Sequence, residues 1–303
     1  MKKKSLNKPG MKINGNSFLL MVTVLLFIVM YAAGMVIFAD KGFAKPQMFL
    51  NLFISNAGLL VIAMGQTIVM ITGGIDISVG SVTALVCMLC AYDMEKKGMS
   101  AYMAVAIALL IGLLFGIVQG FLVSYLEIQP FIVSLAGMFF GRGMTSIIST
   151  DMISIKNKTF LAWANYKIYL PIGSYSRRGK FIPAYIYPTV IIAILIFIVV
   201  LDGLLAGCGG FLFCLNSCSG FVEQAKGLEM DAISASVIGG TLLSGGVGTP
   251  FGTVFGVLIK GTISSLITTQ GTLSSWWVRI ALSALLCFFI VLQSIIGSMK
   301  KKN

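Results

Sequence analysis

Apolar residues fall in long unbroken runs, with neither the alternation of a half-buried strand nor the one-sided spacing of a surface helix. Ten runs can be marked, at residues 18–38, 48–71, 79–92, 101–126, 131–149, 184–201, 203–221, 232–243, 251–269 and 276–299. A helix needs about 20 apolar residues to cross a bilayer core. The pattern therefore predicts an all-α, polytopic integral membrane protein of about ten transmembrane segments. The first run follows a basic stretch but has 21 residues and no small-residue cleavage site, so it reads as a retained span, not a signal peptide.

Two runs, 79–92 and 232–243, are too short for a simple crossing, and each abuts a glycine cluster. The first cluster reads Gly73-Gly74-Ile75-Asp76-Ile77-Ser78-Val79-Gly80. The second, 166 residues later, reads Gly239-Gly240-Thr241-Leu242-Leu243-Ser244-Gly245-Gly246. Both follow G-G-x-x-x-S-x-G, which predicts two pseudo-repeated halves with broken helices around a translocation path. Close helix packing on small residues is the competing explanation. Asp76 lies inside the first cluster, where an uncompensated charge costs about 2.5–3.5 kcal/mol. A helix restarting at Ile77 or Ser78 would let Asp76 cap it; contact with substrate or a gate role is the alternative.

The remaining charged and aromatic features read first as structural. Arg142, between Gly141 and Gly143, is a cation in or near the membrane, suited to snorkelling or to pairing. Glu229 and Asp231 are placed as first-turn acids of a helix beginning near Asp231. Trp276 and Trp277, followed by Arg279, read as an interfacial aromatic belt, with sugar stacking as the alternative. The long polar stretch 150–183 holds six basic residues and predicts a folded external loop.

Composition agrees with the pattern and removes whole classes of function. The chain of 303 residues is 57% hydrophobic and 11% charged, with mean hydropathy +0.97, against about 25% charged in an ordinary soluble domain. It has no histidine and ten acidic residues. Histidine-based acid–base catalysis and histidine metal sites are excluded, and no catalytic residue, metal site or cofactor is expected. Net charge is +12, and eight of the 22 basic residues lie at the two ends. That placement speaks of membrane lipid and topology, not nucleic acid. One transmembrane domain, 1–303, is expected, with residues 1–16 and 300–303 as basic cytoplasmic ends. The six cysteines sit in apolar runs as small hydrophobes.

The stretch Gly65-Gln66-Thr67 through Thr72-Gly73-Gly74-Ile75-Asp76-Ile77-Ser78-Val79-Gly80-Ser81 resembles the signature of permease subunits of bacterial ABC importers for simple sugars, the ribose, xylose and galactofuranose branch. Three further segments agree: Gln129-Pro130-Phe131-Ile132-Val133-Ser134-Leu135-Ala136-Gly137-Met138, the stretch from Asp231 through Gly246, and Gly271-Thr272-Leu273-Ser274-Ser275-Trp276-Trp277. The last two look closest to a galactofuranose-system permease. The resemblance implies a membrane-spanning homo- or heterodimer with a second permease, a periplasmic or extracellular sugar-binding protein, cytoplasmic ABC ATPase subunits, and a location in the bacterial cytoplasmic membrane. It places Gln66, Gly73, Gly74, Asp76, Ser78, Gly239, Gly240 and Ser244 near the path.

One departure stands out. Between its sixth and seventh spans the family carries a cytoplasmic loop of a few dozen residues that docks into the ATPase, whereas this chain turns on Asp202-Gly203 alone. Two other readings follow from the residues: an ion-coupled secondary transporter, for which membrane carboxylates are scarce, and a shortened permease that assembles without transporting.

Overall fold

A computed structural model describes residues 15–175, 181–198 and 202–302. The helices are α1 (Gly15–Ile37), α2 (Pro46–Ile71), α3 (Val79–Lys96), α4 (Ala101–Ser124), α5 (Pro130–Ile148), α6 (Lys158–Asn165), α7 (Pro188–Ile198), α8 (Asp202–Ser217), α9 (Leu228–Ile238), α10 (Pro250–Gln270) and α11 (Trp276–Lys302). Among the described residues, six helices are long and apolar enough to cross a membrane: α1, α2, α4, α5, α10 and α11. α3 is long enough but carries Asp93, Glu95 and Lys96 in its last turn, and α9 has only 11 residues.

Burial sorts these helices into a centre and a periphery. α2 is buried almost continuously from Asn56 to Thr67, and α3 from Val79 to Cys90. α4, more apolar than either, buries only Ala101, Ala104, Ala108 and Gly112, a stripe of small residues facing the bundle while Leu113, Ile117 and Phe121 face outward. Small residues permit close backbone approach in lipid: a Cβ on Gly207 of α8 would stand 2.6 Å from the Ala108 carbonyl. The same device joins α9 to α10, where Gly252 and Gly256 lie against the carbonyls of Gly239 and Ala235. A hydroxyl cluster adds polar cohesion between α2, α9 and α10: Thr67 donates to Ser236 (3.0 Å), and Thr67 and Thr253 share a hydrogen bond of 2.5 Å.

Among the described residues the expected all-α chain has four short strands as well, β1 (Ile153–Ser154), β2 (Ile168–Tyr175), β3 (Phe181–Ile186) and β4 (Ser219–Gly220). They form two antiparallel pairs, β1 with β4 and β2 with β3, the second carrying a register shift between Tyr169 and Gly173. Two apolar runs are accordingly shorter as helices than the pattern suggested. Residues 184–186 belong to β3, whose β-branched and aromatic residues favour a strand, and Pro188 starts α7. Residues 219–220 likewise leave α8 for β4. The polar stretch 150–183 is anchored to the bundle at one end. Glu95 accepts from the N–H groups of Lys156 (2.7 Å) and Asn157 (2.9 Å), and the Gln47 amide bonds both backbone groups of Tyr185. Lys41 Nζ donates to the last carbonyls of α10 at the same end.

Candidate functional site

α2 ends at Ile71, and Gly73 turns the chain with φ +86°, a conformation that disfavours any residue with a Cβ. Residues 74–78 belong to neither helix, with Ser78 already in a helical backbone conformation, and α3 begins at Val79, one residue beyond the later of the two expected restarts. Asp76 Oδ1 accepts from the Ser78 N–H (2.7 Å) and from the Ser78 hydroxyl (2.6 Å). Ser78 itself holds the N-cap position without a side-chain cap bond. Asp76 therefore fixes the turn that leads into α3 and does not cap the free N–H groups of its first turn. With its amide in the orientation that its neighbours require, the buried Gln66 pairs with the backbone of Asp76, donating to its carbonyl (2.9 Å) and accepting from its N–H (3.3 Å). Ser134 of α5 donates to the Ile75 carbonyl (3.1 Å).

These groups line a cavity of about 500 Å³ between α2, α3, α4 and α5, walled by Gln66, Gly74, Asp76, Ser78, Gln119 and Ser134. Its size falls in the range of small-molecule sites. The rim at Thr72, Gly120 and Ser124 is exposed, and the floor at Gln66 and Ser134 is buried. An apolar bundle with one polar recess of this kind can hold a small hydroxylated solute. Deep carbonyl and carboxylate groups there keep partners that lipid cannot supply.

The second glycine cluster ends α9 as the first ends α2, and α10 starts at Pro250 with Thr249 as its cap (3.1 Å to the Gly252 N–H). The repeat is inexact in conformation. Gly73 is the left-handed residue in one cluster, whereas Gly240 (φ +95°), Gly245 (φ +81°) and Gly246 (φ +80°) are left-handed in the other, and Ser78 is buried whereas Ser244 is exposed. The two clusters meet: Gly246 N–H donates to the Ile71 carbonyl at 2.8 Å. A smaller cavity of about 270 Å³, lined by Ser17, Ile71, Gly239, Gly240, Gly248 and Thr249, lies beside that contact.

The other charged candidates lie elsewhere. Arg142 Nη1 donates to the carbonyls of Val222 and Gln224, both at 3.0 Å, tying α5 to the segment before α9. Glu229 and Asp231 are in the first turn of α9. Asp231 pairs with Lys260 of α10 at 3.1 Å. Glu229 Oε2 is buried without a hydrogen-bond partner among the described residues and lies against Gly80 in the first turn of α3, where free N–H groups favour a carboxylate. Trp276 and Trp277 are exposed at the start of α11, with the Arg279 guanidinium 5.3 Å from the Trp276 ring centroid.

A permease family, described as the permease component of the branched-chain amino acid transport system, matches residues 48–201 and 187–291. The chain belongs to this family. The permease is 36% identical to the inner membrane ABC transporter permease protein YjfF of Escherichia coli, over 90% of this chain and 91% of that protein. It is 27% identical to the fructose import permease protein FruG of Bifidobacterium longum (94% and 93% covered) and 34% identical to the ribose import permease protein RbsC of Bacillus subtilis (78% and 81%). No solved structure matches.

Sequence reasoning passed over three polar residues of the permease. Gln119, which donates to the Ser78 hydroxyl at 2.9 Å, is the amide in the apolar run 101–126, and Lys260 is the cation in the run 251–269. Both carry the signal that a polar side chain at membrane depth needs a partner. Ser134 gives no comparable signal, because serine satisfies itself on its own helix.

Proposed function

We propose that this permease is one membrane subunit of an ABC importer that moves a monosaccharide inward across the bacterial cytoplasmic membrane by alternating access. The observation that carries the reading is the hydroxyl- and amide-lined cavity beside Asp76 in an otherwise apolar bundle, together with relatives named as fructose and ribose import permeases. The sequence has no G-x-x-x-x-G-K-[ST] phosphate loop, so ATP would be hydrolysed by a partner. The expected partners are ABC ATPase subunits, an external sugar-binding protein and a second permease, identical or related. About ten segments in a single transmembrane domain, with both ends cytoplasmic and residues 150–183 outside, complete the proposal. Residues 1–14 lie outside the described part of the chain.

An ion-coupled transporter finds less support. Asp76 is engaged by Ser78 and Asp231 by Lys260, which leaves few carboxylates for proton or sodium coupling. The shortened, non-transporting permease keeps one specific observation in its favour. The alignment with YjfF runs over 303 positions but covers 90% of this 303-residue chain, so about 30 aligned positions have no residue here. Proteoliposomes holding the chain with its second permease, ATPase and binding protein should accumulate a labelled neutral pentose or hexose in an ATP-dependent way. Uptake driven by an ion gradient without ATP would overturn the reading.

A further inference from the structure

Along the wall of the cavity beside Asp76, three side chains form one hydrogen-bonded line. Ser78 donates its single hydroxyl proton to Asp76 Oδ1. The Gln119 amide therefore donates to the Ser78 oxygen, at 2.9 Å, and its own carbonyl has no hydrogen-bond partner among the described residues. The two donors on Asp76 Oδ1, one at 2.6 Å, favour the ionised carboxylate against the cost of its burial. The other carboxylate oxygen, Oδ2, has no hydrogen-bond partner among the described residues. Gly137 of α5 makes the line possible, since a Cβ there would stand 2.5 Å from Gln119 Nε2 and 3.3 Å from Ser78 Cβ. The cavity wall holds neither lysine nor arginine among the described residues.

We propose that this wall is a charge filter, with Gln119 as the positioning residue that holds Ser78 and, through it, the Asp76 carboxylate. It admits neutral polyhydroxylated solutes and turns away anions such as sugar phosphates and uronic acids. The inference rests on the cavity being part of the sugar path. Two hydroxyls of a neutral sugar can donate, one to Asp76 Oδ2 as a charge-assisted bond and one to the Gln119 carbonyl. An anion meets a like charge in a recess that screens poorly, with no cation to offset its lost hydration.

The test reads charge selectivity directly, without transport. Gly120 lies on the cavity rim next to Gln119, and a Cβ there meets nothing within 4 Å, so Gly120→Cys fits. The full chain purified in detergent is treated with methyl methanethiosulfonate, which is neutral, or its sulfonatoethyl analogue, which is anionic, and modification at position 120 is read by peptide mass. The anionic-to-neutral rate ratio should be about tenfold lower in Gly120→Cys than in Gly120→Cys/Asp76→Asn. Adding Gln119→Leu or Gly137→Ala, with Asp76 retained, should raise the ratio part of the way. An equal ratio with and without Asp76, or no reaction with the neutral reagent, overturns the filter. If Asp76→Asn fails to elute as a single species, the cationic aminoethyl reagent replaces it. On Gly120→Cys it should outpace the anionic reagent about tenfold more than it does on the neutral thiol 2-mercaptoethanol, and parity with that thiol overturns the proposal. Uptake of neutral sugar without this selectivity removes the filter and leaves the import reading standing. Selectivity without uptake does the reverse.

Discussion

Gly246 donates its backbone N–H to the carbonyl of Ile71 at 2.8 Å, so the last residue of α2 finds its partner in the cluster that ends α9. Helix-end carbonyls have no partner within the helix, and this contact supplies one. Gly245 packs on the same spot, where a Cβ would stand 2.8 Å from Gly73 Cα and 3.0 Å from Gly73 N. The repeated cluster is thus a single contact between two breaks.

Gly245→Ala should reduce ATP-dependent sugar uptake to background, because the methyl group meets backbone that a rotamer change cannot move. Gly98→Ala is the matched control. Gly98 is also left-handed, with φ +66°, but has nothing within 4 Å of its Cβ position. It should cost only the backbone penalty of about 1–2 kcal/mol and keep most uptake. Equal uptake in the two variants, at equal membrane levels, would remove the cluster contact from the mechanism.

Much of this arrangement is legible in the sequence, and the reason differs by residue. The breaks at Gly73 and Gly239 show because glycine pairs interrupt apolar runs, and Asp76 shows because a charge there is expensive. What periodicity cannot show is which side chains from distant runs converge. Gln119 reaches Ser78 across 41 positions of sequence, and Lys260 reaches Asp231 across α9 and α10. The strands β1 and β4 are equally hidden, being two residues each and paired over a separation of more than 60 residues. Arg142 was legible as a membrane cation, but its partners are carbonyls, which leave no trace in a charge pattern.

The Asp231–Lys260 pair is partly screened, with side chains 30% and 19% exposed. Losing one partner of a buried pair costs about 3–5 kcal/mol, and this exposure reduces the expectation to about 2 kcal/mol. Lys260→Met and Asp231→Asn should each lower the thermal aggregation midpoint in detergent. The double variant should lie closer to the parent than Lys260→Met does. A double variant whose loss equals the sum of the singles would show that the two charges act independently.

Arg142 holds the segment before α9 through two carbonyls, each costing about 1–3 kcal/mol if left unsatisfied. Arg142→Met should free that segment, and trypsin cleavage after the exposed Lys226 should rise about tenfold as local opening becomes easier. Arg142→Lys, which keeps a donor but shortens its reach, should fall between. Unchanged cleavage in Arg142→Met would mean that other contacts fix the segment.

The junction between α7 and α8 carries the strongest consequence for function. Residues 199–201 lie outside the described part of the chain, and α8 begins at once at Asp202. The family match divides here into two overlapping segments, 48–201 and 187–291, and about 30 aligned positions of YjfF have no residue in this chain. The expected turn on Asp202-Gly203 is instead the start of α8, so residues 199–201 alone separate the two helices. Three residues offer too little surface for a docking element, which transmits ATPase closure only through contacts that differ between nucleotide states. Short turns do suffice for an antiparallel helix pair, so the bundle can form without the loop. The chain should therefore insert and pack normally yet bind its ATPase weakly, with any coupling supplied by a second permease that keeps its loop. Co-expression with the ATPase should give poor co-purification and little sugar-stimulated hydrolysis, and inserting the loop of a related permease after Leu201 should raise both. Tight ATPase binding and robust transport by the unmodified chain, with no gain on insertion, would show that coupling runs through another surface.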